Sequence, residues 1–302
     1  MAGPDSTVEV NHLYKSYSGK VAVKDLSFSA GSGEIMGLIG PNGAGKSSTI
    51  KMILDFLKPD SGEVNVFGHP MKESFKNLIG YLPEERGLYK KLSAIDLIVY
   101  LATLKGMDKQ KAERKASALL EQTGMLENKK MKNKDMSKGM GQIIQFIVTI
   151  IHDPKLIILD EPFSGLDPVN TEIVKNMIGI LRDEGKTIIL STHQMNKVEE
   201  LCDRVLMIDH GQAVLYGALE QIRTNFSKNS VHVLVEGELG DLPGVLHKKA
   251  KNDSFELVLT PESSPQIILD HLRTSGVTIK RFEVARPSLN DIFLELAGGG
   301  HE

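Results

Sequence analysis

The chain has 302 residues, 41 % hydrophobic and 25 % charged, the balance of a soluble globular protein with room for one large domain and a smaller one. Its formal net charge of −3 excludes the overall basic field of a nucleic-acid-binding protein, and no nucleic-acid partner is expected. Cys202 is the only cysteine, which excludes an intrachain disulfide; with no signal-peptide pattern at the amino terminus, the expected compartment is the cytoplasm.

In chain order, the apolar, β-branched runs "VEVNHLY", "AVKDLSFSA", "EIMGLIG", "LIILDE", "TIILST" and "RVLMID" alternate with helical patterns such as those over residues 46–57 and 169–183. That alternation predicts parallel strands with crossover helices. Between residues 92 and 132 strands vanish, and "SAIDLIVYLATLKG" and "KQKAERKASALLEQTG" predict a helical insertion. The apolar helix "QIIQFIVTIIHDP" is broken by Gln145 and ends at His152, Asp153 and Pro154, short of the roughly 18 to 20 apolar residues that span a bilayer. A role at a membrane therefore requires spans from another chain. After "AVLYGALEQIRTNF" the pattern becomes β-β-α-β-α, a small α+β domain over residues 226–302.

The segment "GPNGAGKSS", residues 40–48, follows a strand and opens a helix, the context in which G-x-x-x-x-G-K-[ST] cradles phosphates. Gly40, Gly43 and Gly45, with Pro41, Asn42 and Ala44 between them, let the backbone wrap a nucleotide. Lys46 brings a point charge to the β- and γ-phosphates, and Ser47, next to Ser48, offers a hydroxyl to Mg²⁺. In "LIILDEP" a strand ends in two carboxylates: Asp160 is placed to orient Mg²⁺, and Glu161 to take a proton from an attacking water. His193 in "LSTHQ" ends another apolar strand, so a parallel sheet brings it to the same carboxyl edge, as a γ-phosphate contact holding water and Glu161 in register.

These motifs together resemble the ATP-binding cassette family, from about Val8 to Thr224. The resemblance implies a P-loop NTPase cassette over residues 8–225, with a parallel core sheet, an antiparallel β subdomain and a helical insertion at about 92–150. It implies ATP and Mg²⁺ as ligands, and a second cassette, expected to be an identical chain. The family's signature loop, usually Leu-Ser-Gly-Gly-Gln, binds the γ-phosphate held by the other subunit; "MSKGM" occupies its place, with Ser137 and Gly139 retained and Met136, Lys138 and Met140 departing. Tyr17 matches the aromatic that stacks on adenine. Asp167 in "SGLD" matches the loop touching the opposing subunit, and it also reads as a helix cap before Pro168. Glu84 stands where the family usually has a glutamine that senses Mg²⁺ and the membrane partner; as a carboxylate it is a hard metal donor but cannot donate a hydrogen bond when ionised. Lys138 reads equally as an added contact to the γ-phosphate and as the end of the solvated run Lys129, Lys130, Lys132 and Lys134.

"PEERGLY", "EPFSGLDPVN" and "PSLNDIFLEL" resemble one branch, the cytosolic ATPase subunits of bacterial and archaeal exporters related to sodium-extrusion and drug-resistance systems. That resemblance implies a polytopic permease partner, docked near residues 84–97 with Arg86, Leu88 and Tyr89 as candidates, and a location at the inner face of the cell membrane. The rival expectation is a soluble cassette ATPase driving an assembly complex. The terminal domain shows no catalytic cluster and reads as an accessory fold.

Overall fold

The computed structural model describes residues 6–85, 87, 89–226, 229–237, 239–240, 242–251 and 254–298. It divides into two compact units, Met1–Ala218 and Leu219–Glu302. The first contains β1 (Ser6–Tyr17), β2 (Lys20–Gly31), β3 (Ile35–Ile39), α1 (Lys46–Ile53), β4 (Ser61–Val66), β5 (Ile79–Leu82), α2 (Ala94–Leu104), α3 (Lys109–Gln122) and α4 (Lys138–Ile150). It continues with β6 (Leu156–Asp160), α5 (Pro168–Asp183), β7 (Thr187–Thr192), α6 (Met195–Leu201), β8 (Arg204–Asp209) and β9 (Gln212–Ala218).

A six-stranded sheet runs in the order β5-β6-β7-β3-β8-β9, parallel except for β9, which pairs antiparallel with β8. Every residue of β3, β6 and β7 is buried, as their unbroken apolar runs require of strands covered on both faces. Because β3 lies between β7 and β8, its carboxyl end opens into the crevice where doubly wound sheets hold ligands.

The runs "VEVNHLY" and "AVKDLSFSA", read from sequence with the parallel strands, instead pair antiparallel as β1 and β2, and β4 completes a separate three-stranded sheet. Apolar alternation marks a strand but not its direction, so the residues alone did not distinguish the two arrangements. Val8, Val10, Leu26 and Phe28 of this sheet share one core with Ile50 and Ile53 of α1 and with Leu38 of β3. Helix α1 stops at Ile53 rather than residue 57: Asp55 is left-handed at φ 59°, and the Phe56 and Leu57 N–H groups both turn back to the Lys51 carbonyl.

Side-chain caps fix the starts of the insertion helices. Ser93 accepts from the Asp96 N–H, Asp108 from the Lys111 N–H and Ser137 from the Met140 N–H. The second unit contains α7 (Leu219–Asn225), β10 (Ser230–Glu236), β11 (Val245–Lys251), β12 (Ser254–Leu259), α8 (Pro265–Thr274), β13 (Thr278–Val284) and α9 (Leu289–Gly298). Helix α7 thus belongs to this unit, although the sequence reading carried the first domain to residue 225. The antiparallel sheet order is β11-β12-β10-β13, and Val231, Val233, Leu257, Ile268 and Leu272 form its core. The expected β-β-α-β-α order lacked β11, whose "VLHKKAK" sequence is too basic to show a buried face and which lies at the sheet edge, where lysines suit a strand.

Candidate active site

The phosphate loop joins β3 to α1 under tight steric constraint. Gly40 has φ 150°, and a Cβ there would stand 2.1 Å from the Ile208 carbonyl oxygen; at Gly45, φ 113°, it would stand 2.5 Å from that of Ala22. Only glycine lets the loop pass between β8 and β2. Gly45 is the N-cap of α1 and supplies no side-chain acceptor, which leaves the first N–H groups of this helix for an anion. Lys46 is 7 % exposed, and its Nζ donates to the carbonyls of Gly40 at 2.8 Å and Pro41 at 3.1 Å.

Lys46 lines a cleft of about 270 Å³ with Asn42, Ser47, Glu84, Asp160 and Glu161 among others. Burial pulls its ammonium below the usual value, against the opposing pull of Glu161, Asp160 and Glu84. Burial pushes the Asp160 carboxyl up, a rise to which the Glu161 charge adds and which hydrogen bonds from Ser191 and Ser47 resist. Placing a triphosphate among three carboxylates and one ammonium calls for a further cation. Among the described residues no group of three or more His, Cys, Asp or Glu side chains forms a metal cage. Ser47 and Asp160 touch, giving two hard oxygen donors, and a Mg²⁺ ion takes few protein ligands and completes its octahedron with phosphate and water. The residues fit that ion.

Strands β6 and β7 set Asp160 opposite Ser191, and the Ser191 hydroxyl donates to Asp160. Glu161 follows at φ 50°, a left-handed backbone uncommon outside glycine, held by its N–H on the Ser191 carbonyl at 3.0 Å. Its carboxylate receives the Thr192 hydroxyl at 3.2 Å, the His193 backbone N–H at 3.1 Å and the His193 ring at 2.9 Å. Tyr17 is 44 % exposed, and its hydroxyl lies 3.3 Å from that of Ser48, which joins it to the rim of the cleft.

Ser137, Gly139 and Asp167 do not line this cleft. Ser137 is exposed as the N-cap of α4. Asp167 caps α5, taking the Asn170 backbone N–H at 2.8 Å and its Nδ2 at 2.7 Å. A Cβ on Gly139 would come within 3.0 Å of Asn170 Nδ2, so the first turns of α4 and α5 meet at Asn170. The sequence reading missed Asn170, Ser191 and Thr192. The hydroxyl pair before His193 in "LSTHQ" was the available signal for the last two.

Comparison with known proteins agrees with this geometry. The "ABC transporter" family model matches residues 23–164, and the model of the "ATP-binding protein DrrA1-3-like, C-terminal domain" matches residues 217–297. The ABC transporter ATP-binding protein YhaQ of Bacillus subtilis is 40 % identical over 296 residues, covering 97 % of this chain and 99 % of its own. The chain belongs to the ABC transporter ATP-binding proteins. The Nod factor export ATP-binding protein I of Sinorhizobium fredii is 31 % identical, covering 97 % of this chain and 87 % of its own. A solved structure of the ATP-binding subunit of an ABC transporter superposes with TM-score 0.68 at 31 % identity, over 73 % of this chain and 93 % of that one. The cassette binds nucleotide and is an ATPase. None of the described helices is long and apolar enough to cross a membrane.

Proposed function

We propose that this ATPase powers a separate membrane-spanning permease, working as an exporter, through ATP-driven closure of two identical cassettes. One observation carries the reading: the cleft holding Lys46, Asp160 and Glu161 lacks Ser137, exposed at the N-cap of α4, and Gly139, buried in the first turn of α4 beside Asn170. Each chain thus presents two half-sites. An ATP held by Lys46 and the α1 N-terminus of one copy meets the capped α4 N-terminus of the other, and a shared polyanion favours the closed pair.

Within each half-site Glu161 accepts the proton of the attacking water, and His193 with Thr192 fixes the carboxylate's direction. Ser47, Asp160 and Glu84 are the residues that hold Mg²⁺, which when bound offsets charge on the phosphates. Tyr17 supplies an aromatic face for adenine. Asp167 orders the α5 start that faces the second copy. The unit from Leu219 onward has an accessory role.

An apolar groove of about 360 Å³, lined by Leu54, Phe56, Tyr81, Leu101 and Leu104 among others, suits a permease segment. Phe56 and Leu104 are each 65 % exposed there. Tyr89 lies outside that groove, its ring edge-on to Tyr100 at 6.0 Å, while Arg86 and Leu88 lie outside the described residues. Docking at the inner face of the membrane follows from the same reading. The export direction is supported by the name of the Sinorhizobium relative, a Nod factor export ATP-binding protein.

The test is affinity capture of Glu161→Gln, loaded with ATP, from detergent-extracted native membranes, with mass spectrometry of the captured chains. A stoichiometric polytopic partner is the expected result. Capture of soluble partners only, from the soluble fraction, overturns the permease reading in favour of an assembly ATPase.

A further inference from the structure

Charge in this chain is unevenly placed. Residues 90–138 hold eleven lysines and one arginine against six carboxylates, although the whole chain carries −3. The fold concentrates that imbalance further. Two lysine-rich segments some forty residues apart lie side by side: the Ile95 N–H donates to the Lys129 carbonyl, Ala94 to Met131, Asn133 to Leu92 and Lys134 to Lys90. Asn133 Nδ2 closes the pairing on the Tyr89 carbonyl at 3.0 Å.

Six lysines, Lys90, Lys91, Lys129, Lys130, Lys132 and Lys134, are thereby gathered on one exposed surface. None of the six is in an ion pair among the described residues. The same two segments carry three carboxylates, Asp96, Glu127 and Asp135, against the six ammonium groups, and Asp96 also takes the Ser93 hydroxyl at 2.6 Å. Mutual repulsion is the cost of such a gathering in a fold that does not need it for its core. Beside the lysines stand Tyr89 and Tyr100, 54 % and 44 % exposed.

We infer that this paired-segment surface binds the anionic headgroups of a lipid bilayer. Lysines reach headgroup phosphates on flexible apolar stems, and tyrosines sit at the boundary between headgroup and acyl chain. A polybasic patch of four to eight lysines is the size that anionic leaflets attract. The inference rests on the transporter reading, which brings the protein to a membrane, but its test needs no permease. Lys138 and the nucleotide cleft play no part in it.

The experiment is flotation of the full chain with vesicles of phosphatidylcholine alone or of phosphatidylcholine with phosphatidylglycerol. Binding to the anionic vesicles only, weakening as salt is raised, is expected. The pair Lys90→Ala/Lys91→Ala, and separately Lys129→Ala/Lys130→Ala, should each lower the partition coefficient about thirty-fold while ATPase turnover persists and reports an intact fold. Equal partition into both vesicle types, or wild-type partition of both double variants, overturns the proposal. So does tighter retention by single-stranded RNA than by the anionic vesicles, which would make this a nucleic-acid surface. Vesicle binding with no permease captured sinks the transporter reading alone; a captured permease with no vesicle binding sinks this proposal alone.

Discussion

His193 Nδ1 lies 2.9 Å from Glu161 Oε1, so the ring and the carboxylate form one hydrogen-bonded unit. An ionised carboxylate only accepts, which fixes the Nδ1 proton on histidine and leaves Nε2 directed elsewhere. A neutral ring then presents Nε2 as an acceptor, and only the imidazolium offers a donor at both nitrogens, the form that suits a γ-phosphate. His193→Ala should lower kcat by about 10²- to 10⁴-fold and move the KM for ATP much less, because it removes direction from the base and leaves Lys46 and the phosphate loop intact. Steady-state kinetics decide it; a large rise in KM at unchanged kcat would assign His193 to ground-state binding.

Gly40 and Gly43 separate two causes of glycine preference within one loop. A Cβ at Gly40 meets the Ile208 carbonyl at 2.1 Å, whereas at Gly43, φ 81°, it meets nothing within 4 Å. Gly40→Ala should cost about 3 kcal/mol or more, since backbone must move, and abolish nucleotide binding. Gly43→Ala should cost about 1 kcal/mol of backbone strain and fold normally. Denaturant unfolding of both variants, with binding of a fluorescent ATP analogue, makes the comparison; equal losses would contradict the steric account.

The phosphate site was legible because its chemistry is local. The glycine spacing with Lys46 lies within one short stretch and the carboxylate pair within another, and the apolar runs mark the strands that end at Glu161 and His193, while the parallel pairing of β6 with β7 brings those two together. What escaped was made by pairing. Polar "SGEVNV", four-residue "IGYL" and basic "VLHKKAK" carry too little periodicity to read as strands, and each is held by its neighbour's backbone. Asn170 gains its place only because α4 and α5 start side by side, a tertiary fact with no signal in its own sequence.

In the proposed pair of cassettes, Asp167 and Lys138 address the face between them. Asp167→Ala removes both hydrogen bonds that hold Asn170, at a cost of about 1 kcal/mol for the lost cap, and frees Asn170 to crowd Gly139. ATP-dependent dimerisation of a Glu161→Gln background should weaken more than that modest destabilisation accounts for. Lys138→Ala in the same background should weaken it also if the ammonium meets the partner's γ-phosphate. Sedimentation velocity with and without ATP reads both, and an unchanged dimer for Lys138→Ala would leave that lysine as a surface charge.

Asp60 ties the end of β1, where Tyr17 sits, to the loop before β4. The Lys15 ammonium at 2.6 Å, then the Ser16 N–H at 2.7 Å, hold its carboxyl below the usual 3.8. A carboxyl depressed in the folded state stabilises the fold above the ordinary carboxylate range, and that contribution is lost as pH falls through the lower, folded value. Asp60→Asn should therefore be less stable than the parent near neutrality, and the difference should shrink in acid. Because Asp60 is solvent-facing the effect is small, and salt should reduce it. A stability difference that grows as pH falls would reverse the sign and refute the assignment.

Cys202 reports on the helix that follows His193. Its thiol is 7 % exposed at the end of α6, and burial first, then the Asp203 charge, pushes its ionisation far above the usual range. Thiolate is the reactive form, so in the folded protein a thiol reagent should label Cys202 orders of magnitude more slowly than a free cysteine, with unfolding restoring the rate. The reason lies across the packing: a Cβ added at Gly37 of β3 would come within 2.9 Å of Val198 and 3.0 Å of the Cys202 sulfur. Gly37→Ala should push α6 from the sheet, accelerate labelling at Cys202 and lower kcat through the displaced His193. Rapid labelling of the parent protein, or Gly37→Ala with parental labelling and turnover, would show that α6 does not hold this end of the active site.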